Sequence, residues 1–122
     1  MAWESPDPIK IVRDYTQELK KHIKVDRVIL FGSAVRGEMT FDSDLDIIVI
    51  SSDFGNIPYM KRLQLLSKIR GRKFIFIPMD IFGYTAEEFE KMSKLDQSVV
   101  LSEAKREGKV VYPNKEKAGS KK

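Results

Sequence analysis

Residues 30–46 read Leu-Phe-Gly-Ser-Ala-Val-Arg-Gly-Glu-Met-Thr-Phe-Asp-Ser-Asp-Leu-Asp, and the parsing of this stretch decides the fold. Its beginning belongs to RVILF (27–31), a short, apolar, β-branched run that reads as a buried strand ending at Gly32. Its end opens LDIIVIS (45–51), a second strand by the same test. Between them SAVRG (33–37) has room for one helical turn, with Ser33 at its N-terminus and Gly37 suited to end it. GEMTFDS (37–43) then returns the chain to the second strand.

Working outward, Asp7-Pro8 is an N-cap and N1 pair, and Ile11, Tyr15, Leu19 and Ile23 recur every four residues along an amphipathic helix. After Gly55, the residues Tyr59, Leu63, Leu66 and Ile69 share one helical face, and Gly71 is a stop. KFIFIPMDIFGY (73–84) reads as a third strand, with Pro78 marking an edge, a bulge or a break. TAEE (85–88) is a capping box that starts another helix. A last helix near 97–107 and a short KVVYP strand complete an α+β domain in which helices alternate with strands, a small mixed sheet flanked by helices.

A chain of 122 residues is expected to form one domain, here residues 1–112, followed by a basic, disordered tail at 113–122. Residues 105–122 carry seven Lys or Arg against two Glu, so the net charge of +4 leaves the first 104 residues at −1. Nucleic-acid contact is therefore expected nowhere except at the basic end. No apolar run is long enough to span a bilayer, and MAWESPDPIK lacks the apolar core of a signal peptide. Without cysteine there is no disulfide framework or thiolate metal site, which points to a cytoplasmic location.

Gly32 and Gly37 have the spacing of a Walker phosphate loop, but Glu38 and Met39 stand where its Lys and hydroxyl should be. The informative spacing runs instead from Gly32-Ser33 to two acids. Side chains alternate along a strand, so Asp44 and Asp46 share a face with Cα atoms about 6.6 Å apart. That separation suits two carboxylates reaching a pair of cations about 3.5–4 Å apart. Unneutralised, the pair repels by about 2.5 kcal/mol at an effective dielectric near 20. An isolated D-x-D belongs more often to a solvent-facing turn. Two neighbours favour chemistry here. Gly32-Ser33 sits at a strand-to-helix junction where free N–H groups meet anions, and Asp80 is an acid inside an otherwise apolar strand. Such hard oxygen ligands suit Mg²⁺ or Mn²⁺.

LFGSAVRGEMTFDSDLDIIVI resembles the nucleotidyltransferase signature of the DNA polymerase beta superfamily: an apolar strand, Gly-Ser, about ten residues, then Asp-x-Asp on a strand. The compact length resembles the minimal nucleotidyltransferases, and MDIFGYTAEEFEKM (79–92) their third-acid strand and following helix. The resemblance implies a polymerase beta-like fold, with Gly32 and Ser33 on the β- and γ-phosphates of a triphosphate and Arg36 adding charge beside them. It implies two Mg²⁺ (or Mn²⁺) ions on Asp44, Asp46 and Asp80, and Asp80 orienting or deprotonating the attacking hydroxyl. Because such proteins are often paired with a small helical HEPN protein, it also implies transfer of AMP from ATP to a hydroxyl, such as a tyrosine of a HEPN toxin, in an antitoxin role.

Other readings compete at single positions. Ser43 suits a phosphate contact or a turn cap equally, and Arg36 could form a surface ion pair instead. Asp80 depends on how Pro78 aims its strand. Asp42 and Asp53 look like turn or strand-end residues, His22 like a surface residue, Trp3 like packing, and Tyr84 more like core than site. For the whole chain the rivals are a catalytically weak nucleotide-binding or partner-neutralising module, transfer to a small molecule, and a phosphoacceptor receiver. The last lacks its adjacent acids after VILFGS. A homo-oligomer is also compatible with the sequence.

Overall fold

The computed structural model describes residues 7–38, 43–94 and 98–113. Trp3, Asp42 and the tail expected beyond residue 112, apart from Pro113, lie outside them. Helix α1 (Pro8–Lys20) starts where the sequence marks it: Asp7 accepts hydrogen bonds from the backbone N–H groups of Ile9 and Lys10, and Pro8 occupies the first turn. Its inner face is Val12, Tyr15, Thr16 and Leu19, one position off the expected row at its start; Ile23 lies beyond the helix end.

Strand β1 (Arg27–Phe31) leads into the single turn α2 (Ser33–Arg36), and β2 (Leu45–Ile50) follows. A 3₁₀ turn (Ser52–Asn56) and helix α3 (Tyr59–Arg70) connect β2 to β3 (Met79–Tyr84); α4 (Ala86–Lys94), α5 (Val99–Glu107) and β4 (Lys109–Tyr112) complete the described chain. The expected third strand is half as long as KFIFIPMDIFGY suggests. Residues 71–76 are a run of turns, and strand geometry begins only after Pro78. Proline has no N–H for a ladder, and Arg70 instead holds the preceding turn by donating to the carbonyls of Phe74 and Ile77.

The four strands form one mixed sheet in the order β3-β2-β1-β4. β1 runs antiparallel to both β2 and β4, while β2 and β3 are parallel, as the intervening helix requires. One face packs Val28, Leu30, Leu45, Ile47 and Val49 against α1 and α3, through Tyr15, Leu19 and Leu66. The other packs Ile29, Phe31, Ile48 and Ile50 against Phe89 of α4 and Leu101 of α5. Burial on both faces explains the unbroken apolar runs of β1 and β2.

The least expected core member is Arg62, whose side chain is 7% exposed. Its guanidinium donates to both Glu88 carboxylate oxygens (2.6 and 3.0 Å), to Ile57 O at 2.7 Å and to Gly83 O at 3.2 Å, and stacks near Phe54. These bonds satisfy the buried charge and tie α3 to β3 and α4. Glu88 also closes the expected capping box, accepting from Thr85 N while its own N–H donates to Thr85 Oγ1. Asp53 accepts from Lys24 N at 2.9 Å, and His22 is exposed, each as its sequence setting suggests.

Candidate active site

The site is built at one end of the sheet, where β1 finishes and β2 and β3 begin. Gly32 leaves β1 with φ 81° and ψ −152°, a conformation open essentially to glycine. A Cβ added there would collide with the Asp46 carboxylate. Gly32 is thus fixed twice, by its backbone and by the close approach of Asp46. Its carbonyl accepts from Val35 and Arg36 N–H at 3.1 and 3.2 Å, which forms the α2 turn. Gly37 ends that turn in the left-handed conformation, φ 76°.

Strand register places the acids. Phe31 lies opposite Asp46 across the β1–β2 ladder, and Asp46 lies opposite Asp80 across the β2–β3 ladder. Leu45 N donates to Pro78 O at 2.9 Å, so the proline carbonyl starts the ladder and Asp80 comes opposite Asp46 despite Pro78. Asp44, two residues before Asp46, falls on the same face, close enough to Asp80 for the two carboxyls to share a proton.

The three carboxylates feel one another. Burial, then the charges of Asp80, Asp44 and Glu103, push the Asp46 carboxyl up from 3.8 to about 6, while Arg36 pulls it down. Asp80 is raised too, first by desolvation and then by Asp44. Among the described residues no three His, Cys, Asp or Glu side chains converge on one ion-sized position. The acids share a face, not a point. As clustered oxygen donors whose mutual repulsion a cation would relieve, they suit Mg²⁺ or Mn²⁺.

Arg36 projects from α2 to three carboxylates: Glu38 at 2.9 Å, Glu103 at 3.4 Å and Glu107 at 3.6 Å. The ion pair weighed from the sequence therefore forms, and it joins the glycine turn to α5. Ser33 opens α2 half-buried, and Ser43 is half-buried immediately before Asp44. Tyr84 lies four residues along β3 from Asp80, about 13 Å away, and donates its hydroxyl to Tyr59 at 3.3 Å. It is no part of the acidic cluster. Glu103 is the site neighbour that sequence reasoning missed; its spacing of four from Glu107 was the only available sign.

A family model, the nucleotidyltransferase domain, matches residues 9–107. The chain belongs to this family. Three curated relatives from Methanocaldococcus jannaschii bear the name "Putative protein adenylyltransferase". One is 41% identical over 68 residues, 52% of this chain and 67% of the relative; another is 33% identical over 66 residues, 52% and 64%. The matched stretches thus span about half of this chain and about two thirds of those relatives. A crystal structure of a protein from Sulfolobus solfataricus described as a "putative nucleotidyltransferase" superposes with a TM-score of 0.58 over 90% of both chains, at 15% identity. A chain in the crystal structure of a toxin-antitoxin with AMP-PNP superposes with a TM-score of 0.53 over 93% of this chain and 79% of its own, at 18% identity. These likenesses bear out the fold. The protein is a nucleotidyltransferase, and none of its described helices is long and apolar enough to cross a membrane.

Proposed function

We propose that this nucleotidyltransferase transfers AMP from ATP to a hydroxyl group of a protein, and that the acceptor is a tyrosine of a small helical HEPN-type toxin, which the transfer neutralises. The observation that carries the reading is the close approach of Gly32, just past the end of β1, to Asp46, which itself lies opposite Asp80 across β2 and β3. It sets the strand-to-helix turn beside a cluster of carboxylates, which supports a triphosphate and metal site. The names of the archaeal relatives support a protein acceptor, and the toxin-antitoxin neighbour supports a partner of that kind.

In this reading Gly32 and Ser33 hold the β- and γ-phosphates, with Ser43 beside them. Arg36 exchanges Glu103 and Glu107 for the triphosphate, since one guanidinium can serve either set of oxygens. Asp44, Asp46 and Asp80 would hold two Mg²⁺ ions, which supply charge neutralisation at the attacking and leaving oxygens. Asp80, on the outermost strand, orients the acceptor hydroxyl and takes its proton. The hydroxyl oxygen bonds to the α-phosphorus, the bond to the bridging oxygen breaks, and pyrophosphate leaves. A cytoplasmic location, where ATP is abundant, fits this chemistry.

The test is incubation of the protein with α-labelled ATP, Mg²⁺ and the HEPN-type product of a neighbouring gene. Label is expected on that partner, and Asp44→Asn, Asp46→Asn and Asp80→Asn should each abolish it. Absence of label, or label unaffected by Asp44→Asn, would rule the reading out.

A further inference from the structure

The strand-turn-strand unit that builds the site supplies a single cation. Arg36 is the only Lys or Arg in residues 28–60, a stretch that holds five Asp or Glu. Its guanidinium is divided between carboxylates of two origins. Glu38, 2.9 Å from Nε, follows the same short turn and travels with it. Glu103 and Glu107, 3.4 and 3.6 Å from Nη1, come from α5, where a spacing of four puts them on one face.

Those two glutamates stand on a fixed support. Leu101 and Ala104 of α5 are buried against the sheet. Gly108, at the end of the helix, lies so close to Ile29 of β1 that an added Cβ would collide with it. On the other side the Ser102 hydroxyl donates to Ser93 O of α4 at 3.3 Å, and Lys105 pairs with Glu90 of α4 at 3.0 Å. The Arg36 side chain, 42% exposed at the end of a four-residue turn, is therefore the part that can swing.

Glu103 and Glu107 are not equivalent. Arg106 lies 3.7 Å from Glu107 and can neutralise it when Arg36 leaves. Among the described residues Glu103 has no cation other than Arg36 within ion-pair distance. Its charge is also felt at Asp46. An Arg36 that departs thus leaves Glu103 unbalanced beside the acidic cluster, which makes this pair the costly one to open.

We propose that Glu103 is a positioning residue of the nucleotide site: it holds Arg36 on α5 while the site is empty and yields it only to a ligand whose phosphates reach the guanidinium, so that it sets the affinity for triphosphate. This rests on the reading above in which Arg36 turns to the triphosphate, and it names the residue that opposes the turn and the direction of its effect. A partly exposed ion pair of this kind corresponds to a roughly two- to fivefold change in affinity. AMP has no β- or γ-phosphate to place beside Arg36. It leaves the pair closed and does not meet this cost.

The test is isothermal titration of ATP and of AMP into the full chain without an acceptor, with Mg²⁺ in large excess so that metal occupancy does not vary. Glu103→Gln should tighten ATP roughly two- to fivefold and leave AMP unchanged. In an Arg36→Gln background the same substitution should no longer tighten ATP. Asp14→Asn, which removes a carboxylate of α1 paired with Lys10, should change neither ligand. Unchanged or weaker ATP binding in Glu103→Gln, an equal gain for AMP, a gain that persists without Arg36, or an equal gain from Asp14→Asn would each overturn the proposal. A wild type that binds ATP no more tightly than AMP, and is indifferent to Arg36→Gln, would instead defeat the triphosphate placement on which it rests.

Discussion

Replacing Asp46 by Asn isolates what the acidic cluster costs the fold. The Asp46 carboxyl is lifted from 3.8 to about 6, first by burial and then by Asp80, Asp44 and Glu103. The native state therefore binds this proton more tightly than the unfolded chain. Stability is unaffected below about pH 4, falls as pH rises through the interval up to about 6, and carries the whole penalty above it. A shift of about two units corresponds to about 3 kcal/mol as an upper bound. The carboxyl is only partly buried, so solvent screening reduces this to about 1–2 kcal/mol. Asp46→Asn removes the charge and keeps the shape. In urea unfolding with EDTA the variant should exceed the wild type by about 1–2 kcal/mol near pH 8, and the gap should close near pH 4. Mg²⁺ should then reverse the order, because an ion that binds only the folded wild type stabilises it by mass action. A variant less stable at both pH values, or a difference independent of pH, would refute the electrostatic reasoning. A wild type indifferent to Mg²⁺ would refute the metal assignment.

Gly32→Ala should cost about 1–3 kcal/mol from its backbone conformation alone; because the new methyl also displaces the Asp46 carboxylate, Mg²⁺-ATP affinity measured by calorimetry should fall with it, and unchanged affinity would contradict the packing of Gly32 on Asp46. Arg62→Met should destabilise by about 2–3 kcal/mol in denaturant, less than a wholly buried pair because the Glu88 side chain is 38% exposed. Hydrogen bonding to Arg62 holds the Glu88 carboxyl below its usual value. The stability that bond gives the wild type is present above the ordinary glutamate range and lost as pH falls, so the gap between wild type and variant should narrow on acidification. Thr85→Ala should cost about 1 kcal/mol through the lost cap. Since Glu88 serves both Thr85 and Arg62, the Thr85→Ala and Arg62→Met effects should be non-additive in a double-mutant cycle.

The parts of this molecule that were legible in its sequence are those governed by local rules. Asp7-Pro8 and Thr85 through Glu88 announce helix starts because capping bonds span only two or three residues. RVILF and LDIIVI announce buried strands because both faces of the sheet are covered. Asp44 and Asp46 share a face by strand alternation, and register brings Asp80 opposite Asp46. What was not legible depends on partners distant in sequence. KFIFI is as apolar as a strand, yet among the described residues no neighbouring strand pairs with residues 73–77, and Arg70 holds them as turns. Arg62 looks like a surface residue of α3 until Glu88, Ile57 and Gly83 are folded around it. Glu103 acquires meaning only because α5 packs across the end of β1, within reach of Arg36.

The register between β2 and β3 also bears on how such a domain can change over time. Asp46 meets Asp80 because the two strands are counted in step, not because the chain between them has a set length. The exposed turn at 71–73 can accordingly change in length while the two acids stay opposed, whereas Phe54, Arg62, Leu66 and Phe74 are buried and hold the rest of the connection in place. Loss of one residue inside Met79–Tyr84 is another matter: it would turn Asp80 into the α3-facing layer and bring an apolar side chain up beside Asp46. The short strand is thus intolerant of insertion or deletion, while substitutions on its outward side leave the opposition of the two acids intact.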